Sequence, residues 1–245
     1  MRVPAIWSSS GPDLLHAVDL TPGERVLDVA CRTGVVDPRL PFEDASFDVV
    51  VCRQGLQLLE DRGRALAEMY RVLRAEGRVG VCVPGRIERS PALEALARSL
   101  EIHAGIRVAA AVHWIFSLPE PDDLRALLAG AGFDGIRVQT TPITRRVASV
   151  LELLELFVPA SAVGAAAWNV GEADGGALVA DLGTELATWI DGDGLTLTME
   201  ENTGVARRSS IPRRVTAPSR PTPRPAGKDG LRSDAPASHG GRRPR

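Results

Sequence analysis

Asp28 sits in a short apolar run, Val26-Leu27-Asp28-Val29-Ala30-Cys31, and Arg32, Thr33 and Gly34 follow it. A strand that ends in a turn rich in small residues lets main chain approach a ligand closely and aim N–H groups at it. The acid either engages that ligand or orders the strand–loop junction. Cys31, Cys52 and Cys82 each end or nearly end such a run, which would gather three thiols at one sheet edge. No Cys-x-x-Cys spacing accompanies them, so buried free thiols are expected rather than a metal site. His103 and His113 are the candidates for general-base chemistry. With no partner motif beside them, surface or packing histidines are the competing reading.

These residues need elements to hold them. Val26–Cys31, Phe47–Cys52 and 78–83 are short, β-rich and apolar nearly throughout, which suits parallel strands covered on both faces. Leu66, Met69, Tyr70 and Leu73 recur at helical spacing between the second and third runs, with Gly77 as the expected stop. Pro121 opens another helix with Leu124, Leu127, Leu128 and Ala131 on one face, closed by Gly132. A strand over 136–143, helices over 149–157 and 177–190, and a last strand over 195–205 complete an α/β layered pattern. The segments 84–120 and 142–195 carry no readable motif. The four tryptophans, Trp7, Trp114, Trp168 and Trp189, are expected in core or lid positions.

At this point the chain resembles the class I S-adenosylmethionine-dependent methyltransferases, and within them the ubiquinone/menaquinone-biosynthesis type (methyltransferase type 11). The first motif of that family, V-L-D-x-[AG]-C-G-T-G, is met by Val26, Leu27, Asp28, Ala30, Cys31, Thr33 and Gly34. L-P-F-x-D-x-S-F-D is met by Leu40, Pro41, Phe42, Asp44, Ser46, Phe47 and Asp48, and E-x-x-R-V-L-R by Glu68 and Arg71–Arg74. Gly130–Phe133 resembles the A-G-F before the sixth strand. The resemblance covers about residues 3–207 and implies a Rossmann-like sheet, S-adenosyl-L-methionine as cofactor, and a small-molecule methyl acceptor. It places Asp28, Ala30, Cys31, Arg32, Thr33 and Gly34 on the cofactor, and Cys52, Arg53 and Gln54 beside its methionine portion.

Two departures qualify that picture. Arg32 stands where the family has the central glycine of the loop, so damage to the cofactor site is expected unless the guanidinium pairs with the methionine carboxylate. Only residues 35–39 separate Gly34 from Leu40, where the family places two further strands and their helices. The expected sheet is therefore truncated, without the second and third strands of the family, and Val26–Cys31 becomes an exposed edge open to self-association. No acid can be assigned to the ribose hydroxyls; Asp37 stands in for the adenine contact.

Charge is divided unevenly. From Arg207 to Arg245 the chain has eleven basic residues against two acidic, a net +9, and seven of its 18 prolines. Residues 207–245 are accordingly read as a disordered basic tail, behind a methyltransferase-like domain at 1–206 whose cofactor half is about 20–85. The tail lacks aromatic residues to stack on bases, which argues against a nucleic-acid partner. No run approaches the roughly 18 apolar residues of a membrane span, and the start lacks a secretory pattern, so a cytoplasmic protein with no membrane partner is expected. Two alternatives to a working methyltransferase stand: an inactive remnant that binds a partner, and a charge-driven binder of nucleic acid or acidic partners through the tail.

Overall fold

The computed structural model describes residues 11–29, 39–157, 172–192 and 194–209. Helix α1 (Gly11–Ala17) leads into β1 (Val26–Val29) and β2 (Phe47–Arg53). Then come α2 (Arg62–Val72), β3 (Leu73–Pro84), α3 (Pro91–Ala104), α4 (Ile106–Ile115) and α5 (Pro121–Gly130). Strand β4 (Phe133–Val147), α6 (Val150–Phe157), α7 (Glu172–Glu185), the short β5 (Ile190–Asp191) and β6 (Gly194–Arg208) complete the order. The strands form one sheet in the order β1-β2-β3-β6-β4, with β5 paired to β6. β1, β2 and β3 are parallel, and β6 runs antiparallel to its neighbours β3 and β4. This is a Rossmann-like arrangement of a mixed parallel and antiparallel sheet with helices on its faces.

Among the described residues β1 has one neighbour, β2, so it forms an edge of the sheet. Val26 on that edge is 38% exposed. The opposite edge is β4, fifteen residues long and largely exposed, with Pro142 at its middle removing one donor.

Helix α2 starts where the Asp61 carboxylate accepts the N–H of Arg64 at 2.8 Å. Its apolar stripe, Ala65, Leu66, Met69 and Val72, is buried on the sheet with Val50, Leu124, Leu128, Phe133 and Ala206. The expected helix stop at Gly77 is displaced. The helix ends at Val72, and Leu73 turns extended to pair with Phe47. Its last carbonyls are taken by other partners: the N–H of Ala45 bonds Arg71 and that of Ser46 bonds Val72. Gly77 lies inside β3, where a Cβ would stand 2.8 Å from the Arg74 carbonyl and 3.1 Å from that of Asp48.

Two more apolar clusters matter for the site. Leu14 and Val18, in and just after α1, pack on Val49, Val51, Cys82 and Val205 on the other face of the sheet. Beyond Pro84, where β3 ends opposite Glu201, β6 and β4 continue as a two-stranded ribbon. Leu195, Leu197 and Met199 of this ribbon join α3, α4, α6 and α7 in a separate cap core. Helices α3 and α4 fall in the segment that showed no readable motif, and α7 begins five residues before the expected 177. β6 runs through Arg208, two residues into the segment read as tail.

Candidate cofactor site

In an open α/β sheet ligands gather beyond the carboxyl ends of the strands. Asp28, Val51 and Thr203 lie on one face of the sheet, because residues directly opposite one another across a ladder share a face and side chains alternate along each strand. By the same rule Arg53, opposite Cys82, and Glu201, opposite Pro84, join that face. Polar side chains from several strands therefore stand side by side at this end.

The Arg53 guanidinium donates to the Asp28 carboxylate at 2.9 Å. The next residue, Gln54, leaves the strand with φ 52°, a left-handed conformation that a side chain other than glycine adopts at a cost of about 1 kcal/mol or more. Its main-chain N–H bonds the Cys82 carbonyl at 2.8 Å, and its side-chain amide donates to Glu201 Oε2 at 2.8 Å. Gln57 donates to Gln54 Oε1 at 3.3 Å, and Ser117, following α4, donates to the Gln57 carbonyl. Arg62 bonds the Gln57 carbonyl and the Ser117 hydroxyl. This network ties the turn after β2 to the cap.

Cys52 and Cys82 do not gather as expected. Cys52 faces the α2 side and Cys82 the α1 side, since they sit at positions of opposite parity on adjacent strands. Burial pushes the Cys52 thiol up to about 12 and the Cys82 thiol up as well, so neither is a thiolate nucleophile near neutral pH. His103, on α3, is bonded to Asp181 of α7 at 2.6 Å, a tie between two cap helices. His113 is an exposed residue of α4. Neither histidine belongs to the polar row at the strand ends. Ala30, Cys31, Arg32, Thr33, Gly34 and Asp37 lie outside the described residues.

Sequence reasoning alone misses Glu201. It is 3% exposed, the one charged residue buried to that degree among the described residues. A carboxylate in the run Met199-Glu200-Glu201-Asn202 reads as a solvated strand residue, and only pairing with β3 shows that it turns inward. The sequence signal available is the alternation Leu195, Leu197, Met199, which continues to Glu201.

The motifs shared with the methyltransferases also have a structural account. Glu68 Oε2 accepts the N–H of Leu40 at 3.0 Å. Arg71 bonds the carbonyls of Leu40 and Phe42 and pairs with Asp44 and Glu68. Helix α2 thus clamps the segment that feeds β2. Hydrogen bonding to Arg71 holds the Glu68 carboxyl below the usual carboxylate range.

The described residues fit the amino-acid end of S-adenosylmethionine. Asp28 and Arg53 together complement an ammonium and a carboxylate, and Arg53 Nε is buried with no hydrogen-bond partner among the described residues. Gln57 Oε1, an acceptor, is likewise buried without a partner among the described residues. Elsewhere a groove of about 530 Å³ opens between the start of α2, Trp114 of α4 and Leu127 of α5.

Known proteins resemble this chain over part of its length. The methyltransferase domain family matches residues 13–81. A ubiquinone/menaquinone biosynthesis C-methyltransferase of Geotalea uraniireducens is 28% identical over 112 residues, covering 40% of this chain and 46% of that protein. A demethylmenaquinone methyltransferase of Deinococcus radiodurans is 29% identical over 143 residues, covering 54% and 58%. The chain thus spans about half the length of these curated relatives. A solved structure from Anabaena variabilis, assigned to the methyltransferases of an antibiotic biosynthesis pathway, superposes with TM-score 0.54 at 15% identity, covering 82% of this chain and 98% of that one. That likeness shows the fold. Residues 13–81 match the methyltransferase domain family, and the chain is similar over part of its length to methyltransferases of ubiquinone and menaquinone biosynthesis.

Proposed function

We propose that the protein transfers a methyl group from S-adenosylmethionine to a small-molecule acceptor, with a reduced quinone as the acceptor class to try first. The observation that carries this reading is the Asp28–Arg53 pair at the carboxyl ends of β1 and β2, inside the matched domain. Methyl transfer is an in-line displacement at the sulfonium carbon, so the chain has mainly to align the partners and exclude water. The quinone class is supported by what the two bacterial relatives are named for. The groove beside Trp114 supports a small acceptor, being within the size range of small-molecule sites.

The test is incubation of the full chain with methyl-labelled S-adenosylmethionine and reduced demethylmenaquinone, following label into the organic phase. Label transfer above a heat-treated control supports the reading. No transfer, together with no cofactor binding by calorimetry, favours the inactive descendant, a reading supported by Arg32 in the loop and by β1 at a sheet edge. Self-association through β1 belongs to either version, since among the described residues the strand is paired on one side only and Val26 is exposed. Sedimentation equilibrium of wild type and Val26→Lys tests it, with a dimer weakened by the lysine as the expected result.

A further inference from the structure

Gln54 follows Arg53 at the exit of β2, and several contacts fix it. Its main-chain N–H bonds the Cys82 carbonyl at 2.8 Å, which continues the ladder past Arg53, itself opposite Cys82. Its side-chain Nε2 donates to Glu201 Oε2 at 2.8 Å and to Cys82 Sγ at 3.5 Å, while Oε1 accepts from Gln57 at 3.3 Å. The amide is thus oriented at both ends. Its strongest partner is Glu201, because a hydrogen bond to a carboxylate is shorter and stronger than one between neutral groups. Glu201 comes from β6, 147 residues away in sequence, and stands opposite Pro84 where β3 ends. At 3% exposure it has almost no surface with which to meet a ligand, so its effects pass through its partners.

What that partner supplies to Gln54 is conformational. A φ of 52° is left-handed, a region that a residue with a side chain leaves unless its surroundings hold it there. Relaxation to negative φ would rotate the peptide between Arg53 and Gln54 and take its N–H off the Cys82 carbonyl. The end of β2 would then fray, and with it the reach of Arg53 to Asp28 at 2.9 Å. That pair is about one third exposed, at 31% and 32%, and too weak to hold the turn by itself. We infer that Glu201 is a positioning residue: through the Gln54 amide it keeps the exit of β2 left-handed and the Arg53–Asp28 pair aligned for the amino-acid end of S-adenosylmethionine. The inference rests on the methyltransferase reading and deepens it.

Calorimetric titration of the full chain with two ligands tests it: S-adenosylhomocysteine, which has the amino-acid end, and 5′-methylthioadenosine, which keeps the adenosine and the thioether without it. Glu201→Leu removes the acceptor at similar volume. It is expected to weaken S-adenosylhomocysteine about tenfold and 5′-methylthioadenosine less than about twofold. Glu201→Gln keeps an acceptor for the Gln54 amide and is expected to stay within about threefold of wild type for both ligands. A purely structural Glu201 would lower the urea midpoint of Glu201→Leu and leave both dissociation constants unchanged, which overturns the inference. Equal losses for the two ligands overturn it as well. So does a loss as large in Glu201→Gln as in Glu201→Leu, since the charge and not the hold on Gln54 would then be at work. Should Glu201→Leu fail to fold by circular dichroism, Gln54→Met removes the donor from the half-buried side of the same bond and is read against the same two ligands. Each of these results leaves the cofactor reading intact. Binding of neither ligand to the wild type overturns the cofactor reading and the inference together.

Discussion

Arg53 reaches across from β2 to Asp28 on β1 at 2.9 Å, and the two side chains remain about one third exposed, at 31% and 32%. A pair so open to water contributes less than about 1 kcal/mol to folding. Asp28→Asn should therefore leave the denaturant midpoint nearly unchanged while weakening cofactor binding at least about tenfold. Urea unfolding and calorimetry on the same preparation separate the two effects. A large stability loss with unchanged binding would make the pair structural.

Arg71 is the opposite case. It holds two main-chain carbonyls and two carboxylates and is mostly buried. Arg71→Ala should cost about 2–3 kcal/mol in urea unfolding, since hydrogen bonds to charged groups are the stronger kind. Arg71→Lys should recover little, because an ammonium cannot serve the four acceptors with the planar fork they surround.

Acid should unfold the protein through identifiable carboxylates. Glu24 is held below the ordinary 4.5 by the Thr21 main-chain N–H and then by Arg78, and Glu68 by Arg71. A carboxyl whose folded pKa is depressed binds protons more readily when unfolded, so its stabilisation is present above the unfolded value and is lost as pH falls through the folded one. Thermal melts should hold steady down to about pH 5 and then drop. Glu68→Gln should be less stable at neutral pH and show a shallower drop. An unchanged slope would remove Glu68 from the account.

Gly80 of β3 lies directly under Val18, and a Cβ there would strike the Val18 side chain and stand 3.0 Å from Leu14. Gly80→Val should destabilise by about 1–3 kcal/mol through overpacking. Val18→Ala in the same chain should recover part of the loss, a coupling that a double-mutant cycle in urea measures.

Arg208, the last residue of β6, donates to the carbonyls of Tyr70, Arg71 and Leu73 at the end of α2 and lies over the Tyr70 ring, 5.0 Å from its centroid. A cation at the carboxyl end of a helix, bonded to carbonyls of its last turn, should be worth about 1–2 kcal/mol. Arg208→Ala should lower the melting temperature, whereas removing residues 214–245 should leave it unchanged by scanning calorimetry.

Several elements are legible in the sequence because their signals are local. Val26–Val29 and Phe47–Arg53 are too short and too evenly apolar for surface helices. Leu66 and Met69 mark the buried stripe of α2 by spacing alone. Helices α3 and α4, in a segment without a readable motif, still carry local signals: Pro91 at a helix start, Leu93, Leu96 and Leu100 at helical spacing, and Gly105 between the two. Gly77 misleads because a glycine after a helical pattern marks a stop only when nothing closer captures the helix end. Here Ala45 and Ser46 do, from far along the chain.

By itself the sequence determined the strand and helix types at the centre of the fold and the methyltransferase motifs, since each follows from neighbours within a few residues, and the resemblance those motifs carry marked Asp28, Arg53 and Gln54 as site candidates. Strand order, the opposite faces of Cys52 and Cys82, and the meeting of Gln54 with Glu201 across 147 residues were decided by tertiary structure. Register settles those relations, and register is set by pairing between segments far apart in the chain. A shift of one residue in β6 would turn Glu201 to the opposite face and bring Asn202 to Gln54.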